Sequence, residues 1–524
     1  MLARCSSAAL LGLEALTVSV EVDLGPGLPA LQMVGLAGTS VQEARERVRS
    51  ALRHSGFRVP LGRVVVNLAP ADLRKEGPGF DLPVALGLLI ASGQLPPQAL
   101  EGVWSSGELS LDGQLRPVRG ALAVALRARS EGARALLVPQ ANAAEAALVD
   151  GLQVWGVAHL TEAVRQLREP ATATPALRPH AVGSQERRGG PDLADVHGQP
   201  HGRRALEIAA AGGHHLLLVG PPGSGKTMLA RCLGGLLPPL NREQALELTR
   251  IHSVAGLLEP GRGLVGERPF RSPHHSCSGA ALIGGGSIPR PGELALAHHG
   301  VLFLDELSEF RGGVLDLLRQ PLEEGEIWIH RCRQRSRFPC AITLVGASNP
   351  CACGWYGDPE RECRCSEGER RRYWGRLSGP LLDRIDLQVV MRRPQAQALA
   401  APYRSGRDSS GRDGRGKRPS TPEATAAVSQ RVTAAHQRMT SRNPGGISNA
   451  RLSGAALQEV LGLEPQALAL WELALGQRRL TARGGERLLR VARTISDLDD
   501  QPGVGPAAVA EALTYRSFDG LEES

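Results

Sequence analysis

Gly220-Pro221-Pro222-Gly223-Ser224-Gly225-Lys226-Thr227 is the stretch whose reading decides the fold. It matches G-x-x-x-x-G-K-[ST], a pattern that carries meaning only between a strand and a helix. Both flanks are present. His215-Leu216-Leu217-Leu218-Val219 is a short apolar run of the buried-strand kind, and Met228-Leu229-Ala230-Arg231-Cys232-Leu233 reads as the opening of a helix. The glycines let backbone amides wrap phosphate oxygens, and the helix N-terminus adds positive dipole. Lys226 is then expected to neutralise the β- and γ-phosphates of ATP, and the Thr227 hydroxyl to ligate Mg²⁺. A chance match among 63 glycines is the competing reading. The strand and helix on either side count against it.

A second signal lies downstream. Val301-Leu302-Phe303-Leu304 is a continuous apolar strand ending in Asp305-Glu306. Asp305 is expected to hold Mg²⁺ through water, and Glu306 to orient and activate an attacking water. Alone this could be a buried strand with a solvated acidic turn. A third strand, Ala341 to Ser348, ends in Asn349, which would hydrogen-bond the γ-phosphate or its attacking water. In Leu381-Leu382-Asp383-Arg384-Ile385-Asp386, Arg384 is either an arginine finger reaching a neighbouring subunit's nucleotide or an ion-pair partner of Asp383 or Asp386. Glu326 to Phe338 reads as a hairpin with a basic tip. On a strand, Arg331, Arg333, Arg335 and Arg337 share one face. They are either DNA-contact residues or a solvated charge run.

Composition bounds the class. The chain has 524 residues, more than one core can use, so two to four domains are expected. A 42% hydrophobic, 22% charged content is that of a globular protein, and at 3% aromatic content base-stacking platforms are scarce. The net charge of +8 and pI of 9.3 come almost wholly from arginine, since Lys75, Lys226 and Lys417 are the only lysines. No apolar run is long enough to cross a membrane and the N-terminus lacks a signal-peptide plan, so a cytoplasmic protein without membrane partners is expected. In that compartment nine cysteines suggest thiols or metal ligands before disulfides. Cys351, Cys353, Cys363 and Cys365 form two C-x-C pairs that could complete a tetrahedral Zn²⁺ shell, with free thiols as the alternative. Cys5, Cys232, Cys277, Cys332 and Cys340 are expected to be packing residues.

Around the phosphate loop the chain divides into an α/β region at 1–168, a linker at 169–192, a P-loop αβα domain at 193–398 with the cysteine insert at 351–365, a disordered insertion at 399–421, and a helical lid at 422–524. In the first region a helix is expected over 41–52, behind Thr39 and Ser40 as capping candidates, and a buried one over 82–91. His274-His275 and His298-His299 invite a metal reading. No partner with ligand spacing accompanies them, so hydrogen-bonding or substrate-facing histidines are preferred. Phe270 to Gly279 reads as loop. In the lid, Arg483 is placed like a second sensor arginine, Gly484-Gly485 loosens the start of its helix, and Arg487, Arg490 and Arg493 read as surface charge.

Two stretches, Lys75 to Asp81 and Gly107 to Gly120, resemble the Lon protease domain. By that resemblance the nucleophilic serine falls on Gly79 and its lysine on Leu122, so a Lon-like fold without peptidase activity is implied. The phosphate loop, Phe270 to Gly279, Asp305-Glu306, Asn349-Pro350-Cys351-Ala352-Cys353, Gly379 to Leu387 and the Arg483 helix together resemble the YifB/ComM family of magnesium-chelatase-like AAA+ ATPases. The resemblance implies a hexameric ring ATPase that uses ATP and Mg²⁺ and moves along single-stranded or branched DNA. Its ComM-like members are helicases for branch migration in natural transformation. A motor subunit for metal insertion into a tetrapyrrole is the other class it allows.

Overall fold

The computed structural model describes residues 2–177, 190–286, 289–331, 334–394, 423–478 and 480–516. The insertion expected at 399–421, residues 178–189 of the expected linker, Cys332, Arg333 and the Arg331 side chain lie outside the described residues. The chain is mixed α/β with a helical C-terminal region.

The first region carries strands β1 (Leu2–Leu11), β2 (Glu14–Gly25), β3 (Ala30–Val34), β4 (Arg63–Ala69), β5 (Val103–Ser105), β6 (Glu108–Leu109), β7 (Leu115–Arg116), β8 (Ala135–Pro139) and β9 (Gln153–Val157). Seven of them form one sheet in the order β3-β4-β2-β1-β5-β8-β9. Helix Thr39–His54 has a single buried stripe of Val41, Ala44, Val48, Ala51 and Leu52, whereas helix Asp81–Ala91 is buried all round. Thr39 and Ser40 do not cap the first helix. Gly38 is the N-cap, without a side-chain bond, and the Ser40 hydroxyl instead accepts the Gly77 N–H at 3.0 Å. Lys75 and Asp81 are both buried. Lys75 donates to the carbonyls of Gly35 and Pro70, and Asp81 takes a two-pronged Arg47 guanidinium at 2.7 and 3.0 Å. Asp81 is thus paired with a counter-charge, whereas Lys75 is held by neutral carbonyls.

The second region holds β10 (Leu216–Val219), β11 (Phe270–Arg271), β12 (Gly284–Gly285), β13 (Arg290–Pro291), β14 (Val301–Leu304), β15 (Glu326–Arg331), β16 (Gln334–Pro339), β17 (Thr343–Ser348) and β18 (Leu387–Val390). An all-parallel sheet runs β11-β14-β17-β10-β18. Its inner strands are buried throughout and mostly apolar because both faces are covered by helices. Phe270 and Arg271, expected in a loop, form the edge strand. Two residues are too few for a periodicity to show. Parallel strands present their carboxyl ends on one side of the sheet, where such folds bind ligands. Gly220, Asp305 and Asn349 directly follow β10, β14 and β17, so the topology alone gathers all three signals on that edge.

The first region is keyed into the second. The β1–β2 turn places Leu13 in the apolar cluster of Leu294, Ile327 and Phe338, and Arg250 donates to the Leu13 carbonyl at 2.8 Å. Helices Thr425–Arg442, Gly454–Leu461, Pro465–Gln477, Ala482–Leu498 and Pro506–Leu513 complete the chain. They share one core with helices Pro200–Gly212 and Lys226–Leu236. A buried polar network joins them to the sheet. His214 contacts Asp386 at 3.1 Å and Thr494 at 2.8 Å, and Asn449 reaches Thr494 at 3.0 Å and Asp497 at 2.9 Å. Arg493, expected at the surface, is buried and grips Asp497 at 2.8 Å; Arg487 is buried as well. Gly485 does not loosen its helix. It admits Trp471, whose indole N–H donates to the Gly485 carbonyl at 3.0 Å, and the Thr481 hydroxyl caps the helix at Gly484 N.

Burial pushes the Asp386 carboxyl up, but the His214 hydrogen bond and nearby positive charge outweigh it and hold it at about 2. A carboxyl depressed on folding contributes stability that is complete above its ordinary value and is lost as pH falls through the folded value. His214→Ala would strand the carboxylate, and we expect a loss of about 3–5 kcal/mol in urea unfolding. The deficit should shrink as pH falls, because protonation relieves the stranded carboxylate, so the acid limb of the stability profile should flatten. A variant with the wild-type acid limb would contradict the pairing.

Candidate nucleotide site and cysteine centre

The site grows out of three strand ends. Gly223 and Gly225 adopt φ of 77° and 89°, left-handed values that a glycine takes without strain, and the loop then enters helix Lys226–Leu236. Lys226 Nζ donates to the carbonyls of Gly220 at 2.6 Å and Pro221 at 3.1 Å, and to Asn349 Oδ1 at 3.2 Å. Burial holds its ammonium below the ordinary value against the opposing pull of Asp305 and Glu306. Thr227 Oγ1 donates to Asp305 Oδ2 at 2.9 Å, so a hydroxyl and a carboxylate oxygen converge as a divalent cation such as Mg²⁺ requires. Glu306 sits at φ 51°, an uncommon conformation for a residue with a side chain. Its carboxylate lies 3.2 Å from His275 Nδ1. The sequence reading gave His275 no such partner; the contact spans the loop after β11 and could not be read from spacing.

Lys226, Thr227, Asp305 and Asn349 are thus brought together. Arg384 and Arg483 are brought together elsewhere. Arg384 donates to Glu323 and, at 2.7 Å, to the Pro380 carbonyl, and Arg483 lies 3.8 Å from the same Glu323. The alternative partners Asp383 and Asp386 are excluded for Arg384, because Asp383 lies 3.9 Å from Arg487 and Asp386 pairs with His214. Among the described residues neither Arg384 nor Arg483 bonds the phosphate loop of its own chain.

The hairpin β15–β16 forms as expected, with Trp328 opposite Arg337 and His330 opposite Arg335. Two of its arginines already have partners. Arg337 pairs with Glu326, and the Arg335 guanidinium lies 3.9 Å above the Trp328 ring.

The four cysteines of the two C-x-C pairs converge, with all four sulfurs within 4.8 Å of one another. Cys351 lies 3.4 Å from Cys353 and 3.6 Å from Cys363. Sulfurs around Zn²⁺ at about 2.3 Å stand about 3.8 Å apart in a tetrahedron, so the donor set fits that ion. Cys5, Cys232 and Cys340 are buried as expected of packing residues. A second cluster adds a partner that spacing did not show, since Glu247 joins His298 and His299 at 3.2 and 2.9 Å, and the hydrogen-bonding role expected of these histidines holds. Hydrogen bonding explains it. His298 Nδ1 accepts the Ala341 N–H at 2.9 Å, which leaves Nε2 protonated and donating to Glu247. The two imidazoles hold the Glu247 carboxyl at about 2.

Magnesium chelatase, subunit ChlI, is the family that matches residues 192–399. Related descriptions of the same subunit match 20–142 and, for its C-terminal part, 422–516. The YifB protein of Escherichia coli (strain K12) is 43% identical over 513 residues, covering 98% of this chain and 96% of the relative. The competence protein ComM of Haemophilus influenzae is 41% identical over 523 residues, covering 99% and 98%. The magnesium-chelatase 38 kDa subunit of Cereibacter sphaeroides is 29% identical over 216 residues, covering 38% and 58%. The chain therefore belongs to the YifB/ComM family of magnesium-chelatase-like AAA+ proteins.

Proposed function

We propose that this protein is a ring-forming ATPase that hydrolyses ATP between subunits and moves along DNA, promoting branch migration when incoming DNA recombines in natural transformation. The observation that carries the reading is the separation of two half-sites. Lys226, Thr227, Asp305 and Asn349 stand on one edge of the sheet, while Arg384 and Arg483 meet at Glu323. A chain that keeps its arginines off its own phosphate loop offers them to a neighbour, in the manner of a finger supplied in trans. Full-length likeness to a competence protein supports the DNA role.

In this reading Thr227 and Asp305 would hold Mg²⁺, which would supply charge neutralisation at the phosphates. Lys226 exchanges its carbonyl partners for phosphate oxygens, which makes the loop's resting bonds an internal stand-in for substrate. Glu306 orients the attacking water and takes its proton, and Asn349 fixes the γ-phosphate from the end of β17. The hairpin of β15 and β16, with Arg331, Arg333, Arg335 and Arg337, is the element proposed to touch the DNA backbone, without base specificity. The first region, with glycine at 79 and a core leucine at 122, would serve as a structural Lon-like domain. The four thiolates would bind Zn²⁺. A homohexamer in the cytoplasm is the proposed working form.

Purified protein should show ATP turnover that rises with single-stranded or forked DNA, and should displace a strand. Turnover indifferent to DNA, with no displacement, would retire the DNA reading. The likeness to a chelatase subunit supports a metal-insertion motor as the second reading. It covers 38% of the chain and leaves the cysteine centre without a role. Turnover stimulated by a chelatase partner and not by DNA would favour it.

A further inference from the structure

We infer that the cysteine metal centre is the brace of the nucleotide site, so that metal at Cys351, Cys353, Cys363 and Cys365 fixes both Asn349 and the phosphate loop in place. The inference rests on the zinc reading above and assigns the ion a task beyond holding its own loop. Three observations carry it.

The first is covalent. Only Pro350 separates Asn349 from Cys351, and a proline leaves its backbone little torsional freedom. Cys351 is fully buried, and the Pro350 carbonyl accepts the Trp374 indole N–H at 3.0 Å. Wherever Cys351 is anchored, Asn349 follows within one rigid residue. Asn349 in turn holds Lys226 at 3.2 Å.

The second contact is steric. Gly354 has φ 82° and lies against the phosphate loop. A Cβ built there would stand 2.9 Å from Pro222 Cδ and 3.1 Å from Cγ. Gly354 is tied to Cys351 by its own N–H, which donates to the Cys351 carbonyl at 2.9 Å. The turn that joins Cys351 to Cys353 is therefore the surface on which Pro222 rests.

The third is what the segment lacks. Between Pro350 and Ser366 there is neither helix nor strand, and from 351 to 372 Cys351 carries the only buried apolar side chain. With so little apolar burial of its own, the loop gains little against chain entropy, and a thiolate-bound ion would supply free energy for ordering it. Metal loss would therefore free the Cys351–Cys353 turn and, with it, the two groups that rest on it. A displacement of about 1 Å at a phosphate-binding site lowers turnover about 10²-fold.

The test uses the full-length chain. Bound zinc is measured by mass spectrometry, before and after removal with a membrane-permeant zinc chelator that leaves Mg²⁺ in place. Fluorescent nucleotide binding, ATP turnover and melting temperature are followed on the same samples. We expect one zinc per chain. Removal should weaken nucleotide binding and lower turnover about 10²-fold, and added zinc should restore both. Because stripping could unfold the chain, Gly354→Ala gives a second test. It keeps all four thiols but presses on Pro222, and should bind nucleotide more weakly with its zinc retained. A stripped protein that melts, binds and turns over like the loaded one overturns the brace while leaving the zinc centre standing. A chain that never carries zinc, and whose Cys353→Ser variant behaves as wild type, overturns the zinc reading and the brace together.

Discussion

Alanine at position 226 is expected to lower ATP turnover by roughly 10²–10³-fold, the loss that follows removal of one preorganised donor. The ammonium is half-buried and spends its three donors on two loop carbonyls and on Asn349. Water does not replace such a donor set well, because the site lies at the end of a sheet with apolar faces. The loss should appear in nucleotide affinity as well as in the rate, since Lys226 would grip the phosphates before and during reaction. Folding should be spared, as the lysine carries no part of the apolar core. Turnover within threefold of wild type, in an assay with confirmed nucleotide saturation, would remove Lys226 from the site.

The second large effect concerns Arg384. Its guanidinium bonds Glu323 and the Pro380 carbonyl, and it holds the Glu323 carboxyl below the ordinary range. Neither of these bonds is to its own phosphate loop. If it completes a neighbour's site, Arg384→Ala should lower kcat about 10³-fold with KM little changed, the pattern of a group felt mainly in the transition state. Glu323→Gln is the control. It loosens the hold on Arg384 without removing the finger, so it should leave most of the turnover. Equal losses in both variants would make the arginine a structural ion-pair member and nothing more.

Local signals were legible and distant ones were not. The phosphate loop, Asp305 and Asn349 each end an apolar run, and a run of four to six buried residues announces itself in one dimension. Their convergence needs only the parallel order of the strands. The four cysteines were legible for the same reason, being pairs within fifteen positions. Glu247 was not, because it meets His298 across 51 positions and through a helix packed on the sheet. Nor was Glu323, which meets Arg384 across 61 positions. Arg493 was misread on its own evidence. Its partner Asp497 is four residues on, one helical turn away, and the pair could have been taken as a buried i,i+4 bridge. Gly485 reads as loosening its helix because the Trp471 that the missing side chain admits lies 14 positions away.

Turnover in a mixture of Lys226→Ala and Arg384→Ala chains tests the shared-site account most directly. Each variant alone should be nearly inactive, yet a mixed interface can pair an intact Lys226 with an intact Arg384 from the other chain. In an equal mixture such interfaces make up about a quarter of the total, so activity should return toward that fraction. Two inactive proteins that stay inactive after co-assembly, with mixed rings confirmed by mass, would contradict catalysis between subunits.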